Sequence, residues 1–326
     1  MCIPTVTRIV ACAVLLVAVS TEYYSGENLP ARSRVFEFSY SVSLSTISAA
    51  ADKVEIFLPL PQSDNCQVIQ GLTIHCKYPY EIYSEPEYGN KILYVMLNGS
   101  LPERVDVAVD FTVDRKLAVA PNYDRSTLRL QRFLMADSLV PFHRKIGAEA
   151  QRALKGDPIE TDKAKAIYDH VIGTMSYDKS GTGWGRGDAM YACDVRKGNC
   201  TDFHSLLIGM NRSVGIPSRF VMGFQVPENS NEGEIPGYHC WAEFFTGDKG
   251  WIPVDASEAW KHPEKKEFFF GSLDANRVQF TIGRDILIQP NKNTTRLNYF
   301  VYPYVLIDEK PSTDYTTRFS FQDLDR

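Results

Sequence analysis

The chain has 326 residues, 44% of them hydrophobic and 23% charged, a globular composition with material for two ordinary domains that excludes a disordered chain. The formal net charge is -5 and there is no long basic run, which argues against nucleic acid as the main partner.

The N-terminus reads as a targeting signal over residues 1–20. Arg8 is its only charge, Ile9 to Val19 is apolar, and Ala18-Val19-Ser20 has the small residues of a cleavage site. The apolar run is too short to span a bilayer, and no later stretch replaces it. Ile9-Val10-Ala11-Cys12 has the look of a lipoprotein box, but the apolar run follows Cys12 instead of preceding it. Ordinary cleavage is therefore expected, giving an exported, soluble protein, periplasmic or secreted. Cys2 and Cys12 leave with the signal. Cys66, Cys76, Cys193, Cys200 and Cys240 remain, an odd set that implies a free thiol beside any bridges. Cys66 with Cys76 is close enough to close a hairpin. Cys193 with Cys240 is a second option, and both together would leave Cys200 free.

After a polar leader, residues 35–114 read as an antiparallel β-sandwich domain. Arg34 to Val42 and Val105 to Phe111 alternate with period two, with Val54 to Leu58, Val68 to Cys76 and Lys91 to Leu97 between them. His75 reads as a strand residue, not a ligand. Residues 115–145 are a connector, loop-like at Pro121-Asn122-Tyr123 with a short helix over Leu128 to Leu134. Helices follow at Ile146 to Leu154 and, capped by Thr161, at Asp162 to Thr174, with Asp157-Pro158 breaking them. His143 and His170 read as surface or interfacial. The segment Ser180-Gly181-Thr182-Gly183-Trp184-Gly185-Arg186-Gly187-Asp188 reads as a mobile loop presenting Trp184 near a site. It lacks the spacing and the Lys-Ser/Thr of a phosphate loop.

In Gly198 to Leu207, GNCTDFHSLL, a cysteine stands at the first turn of a helix. Asn199 is an N-cap and Asp202 has capping-box spacing. Phe203, Leu206, Leu207, Met210 and Val214 mark one buried face, and Gly215 with Pro217 ends the helix. Free N–H groups and the positive end of the dipole at that position stabilise a thiolate. Strands are expected at Arg219 to Val226, Tyr238 to Phe245, Trp251 to Asp255, Phe268 to Phe270, Arg277 to Ile282 and Asn298 to Leu306. Residues 227–237 form a loop, and the polar tail 308–326 is expected to fray.

Thiol catalysis needs a base, and a third group to orient that base. Strand Tyr238 to Phe245 supplies His239, and the next strand supplies Asp255. The loop 246–250 pairs Phe245 with Trp251, an odd-to-odd register that puts His239 and Asp255 on one face of the hairpin. Cys193, Cys200, His204, His239 and Cys240 carry zinc-type atoms. Their spacing is not a ligand pattern, however, and His239 and Cys240 point to opposite strand faces, so neither metal nor cofactor is expected. His204, one turn after Cys200, reads as a packed helix histidine in preference to an alternative base. Cys240 reads as a core residue. Trp241 shares the face of His239 and, with Trp184, is a candidate substrate contact, plain core being the other reading.

GNCTDFHSLL, GYHCWAEFF and GWIPVDASEA resemble, in that order, the three motifs of the transglutaminase-like superfamily. The resemblance covers about residues 146–290. It implies a papain-like α+β catalytic domain, residues 146–307, with Cys200 as nucleophile, His239 as base and then acid, and Asp255 as orienter. The flanking segments resemble bacterial exported members more than calcium-dependent crosslinking enzymes. A thioester acyl-enzyme formed from a peptide or protein amide is expected, with the backbone N–H of Cys200 among the oxyanion donors. Hydrolysis is favoured over transfer to an amine, because no dedicated amine site or calcium loop is legible. A binding module with an idle triad is the reading from another class.

Overall fold

A computed structural model describes residues 32–45, 47–120, 129–154, 159–288 and 295–324. The signal segment, Pro121-Asn122-Tyr123 and Asp157-Pro158 lie outside these residues. Ala31–Arg326 forms one compact unit. It combines helices with several antiparallel sheets, the mixed class expected.

One five-stranded sheet has the order Glu232–Glu234, Thr316–Asp323, Ser33–Leu44, Val105–Lys116, Gln67–Cys76. The alternation seen in the sequence is its cause. Phe36, Phe38, Tyr40, Val42 and Leu44 are buried on one side, opposite Val113, Phe111, Val109, Val107 and Val105. That apolar face meets the central sheet, with the Phe38 ring 5.4 Å from Phe224 and 5.7 Å from Phe280. A second five-stranded sheet runs Lys310–Ser312, Tyr304–Ile307, Lys53–Leu60, Lys91–Asn98, Tyr80–Ser84. Both sheets thus take strands from the C-terminal end of the chain. The tail does not fray. Thr316–Asp323 pairs along Ser33–Leu44, burying Phe319 and Phe321, because alternating aromatics inside a polar stretch supply an inward face.

Among the described residues there are five α-helices: α1 (Arg144–Ala153), α2 (Glu160–Thr174), α3 (Ala189–Val195), α4 (Cys200–Ser213) and α5 (Ala256–Lys261). α2 begins at Glu160, with Ile159 at the N-cap, so Thr161 lies inside the helix instead of capping it. In the described part of the expected connector helix, residues 129–134, only Arg132–Leu134 is helical, as a single 3₁₀ turn. His170 bridges α2 to α1 through Glu149 at 2.6 Å, His143 caps α1, and His75 pairs with Asp110 at 2.8 Å. Phe268–Phe270 is a turn rather than a strand, joined to the sheet by a Val254–Phe270 bridge. No helix among the described residues is long and apolar enough to cross a membrane.

α4 is the centre of the unit. The expectation of one buried face fails, since every residue from Cys200 to Arg212 is buried. Arg212, on one of its remaining faces, is satisfied internally: it donates to the Ser218 and Met135 carbonyls and to Asp137. The central sheet beside α4 is ordered Gly250–Val254, His239–Thr246, Ser218–Gln225, Arg277–Ile282.

Candidate active site

Cys200 occupies the first position of α4. The Asn199 side chain accepts from the Thr201 amide at 3.0 Å, and the Asp202 carboxylate accepts from the Asn199 amide at 3.0 Å, a complete capping box. The hairpin that follows has the expected register, Phe245 opposite Trp251 and Ala242 opposite Val254. Extended past Val254, that register sets Asp255 beyond the strand on the side of His239. The His239 ring contacts Asp255 Oδ2 through Nε2 at 2.7 Å. Its other nitrogen, Nδ1, is thereby left for Cys200, whose thiol hydrogen-bonds with His239 and with Cys240. The structure brings Cys200, His239 and Asp255 together, each at most 4% exposed.

Asp255 is saturated with donors. Oδ2 also accepts from Arg277 at 3.1 Å, while Oδ1 accepts from the Ser257 hydroxyl at 2.9 Å and the Glu258 amide at 3.0 Å. Burial opposes its charge, yet the positive charge and hydrogen bond of His239, with Arg277 behind, hold the carboxyl well below the usual range. Burial likewise opposes the His239 imidazolium, but Asp255 and the Cys200 thiolate outweigh it and push the ring up to about 10. The Cys200 thiol falls well below its ordinary value. The Cys240 hydrogen bond is the largest cause, and the hydrogen bond and charge of His239 add to it against burial. A thiolate–imidazolium pair is the consistent protonation state.

Arg277 was not legible as a site residue. It is fully buried, donates to Asp274 at 2.6 Å as well as to Asp255, and lies 5.3 Å from the Trp241 ring centroid. The nearby Gly223 is opposite His239, and a Cβ there would meet the Val278 carbonyl oxygen at 1.9 Å. Only glycine lets the two strands approach so closely.

Trp241 is 0% exposed with Arg277 5.3 Å from its ring centroid, the arrangement of the plain-core reading. Trp184 is half-buried; its indole donates to the Gly181 carbonyl at 3.2 Å, within its own loop. That loop is not free to swing. Gly185 and Gly187 both adopt positive φ, and their amides donate to Asp202 at 2.7 Å and 3.1 Å. Arg284 holds the Gly187 carbonyl at 2.7 Å, and Asn298 holds that of Arg186 at 2.7 Å. The alternating glycines make an anion-binding curl, and the chain fills it with its own carboxylate. Tyr238 fixes the same corner, its hydroxyl accepting from Asn199 at 3.0 Å.

His204 is buried with both ring nitrogens engaged, Nε2 by the Ala256 amide at 3.1 Å and Nδ1 by Cys240 Sγ at 3.5 Å. It is not placed as an alternative base. Cys240 is buried as expected, but it sits in a polar network and not in plain core. Cys66, Cys76, Cys193, Cys200 and Cys240 are all free, so neither of the possible bridges is formed.

Comparison with known proteins shows what the chain is similar to. Residues 148–256 match the model of the transglutaminase-like superfamily. An uncharacterised protein of Haemophilus influenzae is 25% identical over 351 aligned positions, covering 93% of this chain and 95% of that protein. A candidate cysteine protease from Cytophaga hutchinsonii has the same fold, with a TM-score of 0.61 at 17% identity, over 91% of this chain and 93% of that one. The periplasmic domain of TgpA from Pseudomonas aeruginosa is more distant, with a TM-score of 0.38 at 13% identity over 73% of this chain and 91% of that domain.

Proposed function

We propose that this chain, whose residues 148–256 belong to the transglutaminase-like superfamily, is a cysteine enzyme that attacks an amide carbonyl and favours hydrolysis. The observation that carries the reading is the polarised line Cys200, His239, Asp255 at the N-terminus of α4, with 2.7 Å between His239 Nε2 and Asp255 Oδ2. In this mechanism the Cys200 sulfur adds to the carbonyl carbon, and the oxyanion is met by the Cys200 backbone N–H. His239 then gives its Nδ1 proton to the leaving amine as the C–N bond breaks, leaving a thioester. A water, deprotonated by His239, attacks the thioester and releases the acid. Asp255 holds the ring in the productive tautomer and stabilises the imidazolium. Trp184 remains our candidate for a substrate contact.

An amine entering in place of water would give a crosslink with the same triad. Hydrolysis is preferred because the Cytophaga hutchinsonii protein, which shares the fold, is described as a candidate protease. We read the N-terminal 20 residues as an export signal, and the β-domain of residues 35–114 as positioning a large substrate or a partner protein. The test is turnover of peptide amides by the purified mature protein with and without an added primary amine, wild type beside Cys200→Ala. Loss of turnover in a folded Cys200→Ala, with free acid as the main product of wild type, is expected. Full activity in Cys200→Ala would sink the mechanism, and amine adducts as the main product would reassign the enzyme to crosslinking.

A further inference from the structure

We propose that Cys240, oriented by His204, is a positioning residue that donates its thiol hydrogen to the Cys200 thiolate and so sets the reactivity of the nucleophile. The proposal rests on the reading of Cys200 as nucleophile and adds a second arm to the site.

The chain of donors is fixed by one amide. The Ala256 N–H points at His204 Nε2 from 3.1 Å, so that nitrogen presents a lone pair and carries no hydrogen. Asp255 Oδ1 lies 3.5 Å from the same nitrogen, but a proton there would face the Ala256 N–H. Burial lowers the basicity of His204 in spite of Asp255, so the ring is neutral and its hydrogen is on Nδ1. Nδ1 is 3.5 Å from Cys240 Sγ, within reach for sulfur, and it must be the donor. Cys240 therefore uses its sulfur as acceptor from His204 and keeps its own S–H for another partner. The neighbour left for it is Cys200, on whose thiol Cys240 is the largest lowering influence.

The direction of the last bond follows from which sulfur keeps its proton. Burial, the Cys200 bond, and the negative charges of Cys200 and Asp255 all raise the Cys240 thiol, against Arg284 alone. Cys200 has the helix N-terminus and the His239 imidazolium instead. Cys240 thus stays a thiol and Cys200 is the thiolate. The other titratable groups facing Cys200 are the hydroxyls of Tyr177, Tyr238 and Tyr302 and the Asp202 carboxylate. None of those is a cation; His204 also faces the thiolate but is neutral, so the Cys240 donor and His239, with the helix N-terminus, are what lower Cys200 against burial. His204 is one turn along α4 from Cys200, and Ala256 begins α5 directly after Asp255. One end of this arm is consequently tied to the backbone that carries Asp255.

The experiment is the pH dependence of iodoacetamide alkylation, mapped by peptide mass to Cys200, in wild type, Cys240→Ala, Cys240→Ser and His239→Ala. Removing a hydrogen bond to a charged group is expected to raise the Cys200 midpoint by about one pH unit in Cys240→Ala. Cys240→Ser keeps a donor of similar size, so most of the shift should be restored. A midpoint unchanged in both variants, while His239→Ala moves it, would overturn this proposal and leave the triad standing. A wild-type Cys200 that titrates as an ordinary thiol would instead overturn the triad reading. A measurement on the unmutated protein covers misfolding: the ¹⁵N shifts of His204 should report hydrogen on Nδ1, and hydrogen on Nε2 would refute the relay.

Discussion

Asp202 is the residue whose replacement tests how the site is held. Its carboxylate is fully buried and accepts three amides: Gly185 at 2.7 Å, Gly187 at 3.1 Å and Asn199 at 3.0 Å. In Asp202→Ala all three lose their acceptor, and two of them belong to the glycine loop. Hydrogen bonds to a charged group are worth roughly 1.5–3 kcal/mol, so three at the lower end amount to about 4.5 kcal/mol. Burial raises this carboxyl above its ordinary value despite those donors, so deleting it also relieves a desolvation penalty, which offsets about 1–2 kcal/mol. A net destabilisation of about 3 kcal/mol is expected. With an m-value of roughly 3 kcal/mol/M, the urea midpoint falls by about 1 M at unchanged slope. Asp202→Asn retains one acceptor oxygen and should lose about half as much. Hydrogen exchange supplies the local readout: the Gly185 and Gly187 amides are protected in wild type and lose that protection in the variant. A loss below about 1 kcal/mol with both amides still protected would refute the role assigned to Asp202.

Two further outcomes follow. In Asp255→Asn the partner that raises His239 to about 10 becomes neutral, so its proton is lost closer to the ordinary value of about 6.5. The imidazolium is the required form, so the alkaline limb of the rate profile should move down in pH, and an unmoved limb would contradict the pairing. The sign for stability is the same: the pair's contribution is full below about 6.5 and is lost as pH rises through about 10 in wild type. Phe319→Ala should cost about 3–5 kcal/mol in denaturant, because its ring lies 4.4 Å from Phe224 and 4.7 Å from Tyr40. No cost would mean that the C-terminal strand is not part of the fold.

The hairpin that carries His239 and Asp255 was legible because its information is local. The loop 246–250 fixes Phe245 opposite Trp251, parity puts residues 239 and 255 on one side, and Asn199 with Asp202 marks a helix start. What could not be read depends on contacts between distant segments. The acceptor for the Gly185 and Gly187 amides is 15 to 17 residues away, so a glycine-rich stretch reads as mobile although two of its glycines curl around Asp202. Arg277 reaches Asp255 across the sheet, and nothing in its neighbourhood of the sequence distinguishes it from a surface arginine. Hydrophobic periodicity also understated α4, since His204, Ser205 and Arg212 occupy faces that are buried because other elements supply their partners. The same limit applies to the tail. Thr317, Phe319 and Phe321 alternate, but only the exposed edge of Ser33–Leu44 gives that alternation a sheet to join.

The most direct measurement is intact mass after brief incubation of the mature protein with iodoacetamide at mildly acidic pH, wild type beside His239→Ala. One rapidly labelled thiol, mapped to Cys200 and slowed in the variant, is the result that a thiolate–imidazolium pair requires. A Cys200 that is inert, or labelled equally fast without His239, would contradict the proposed enzyme.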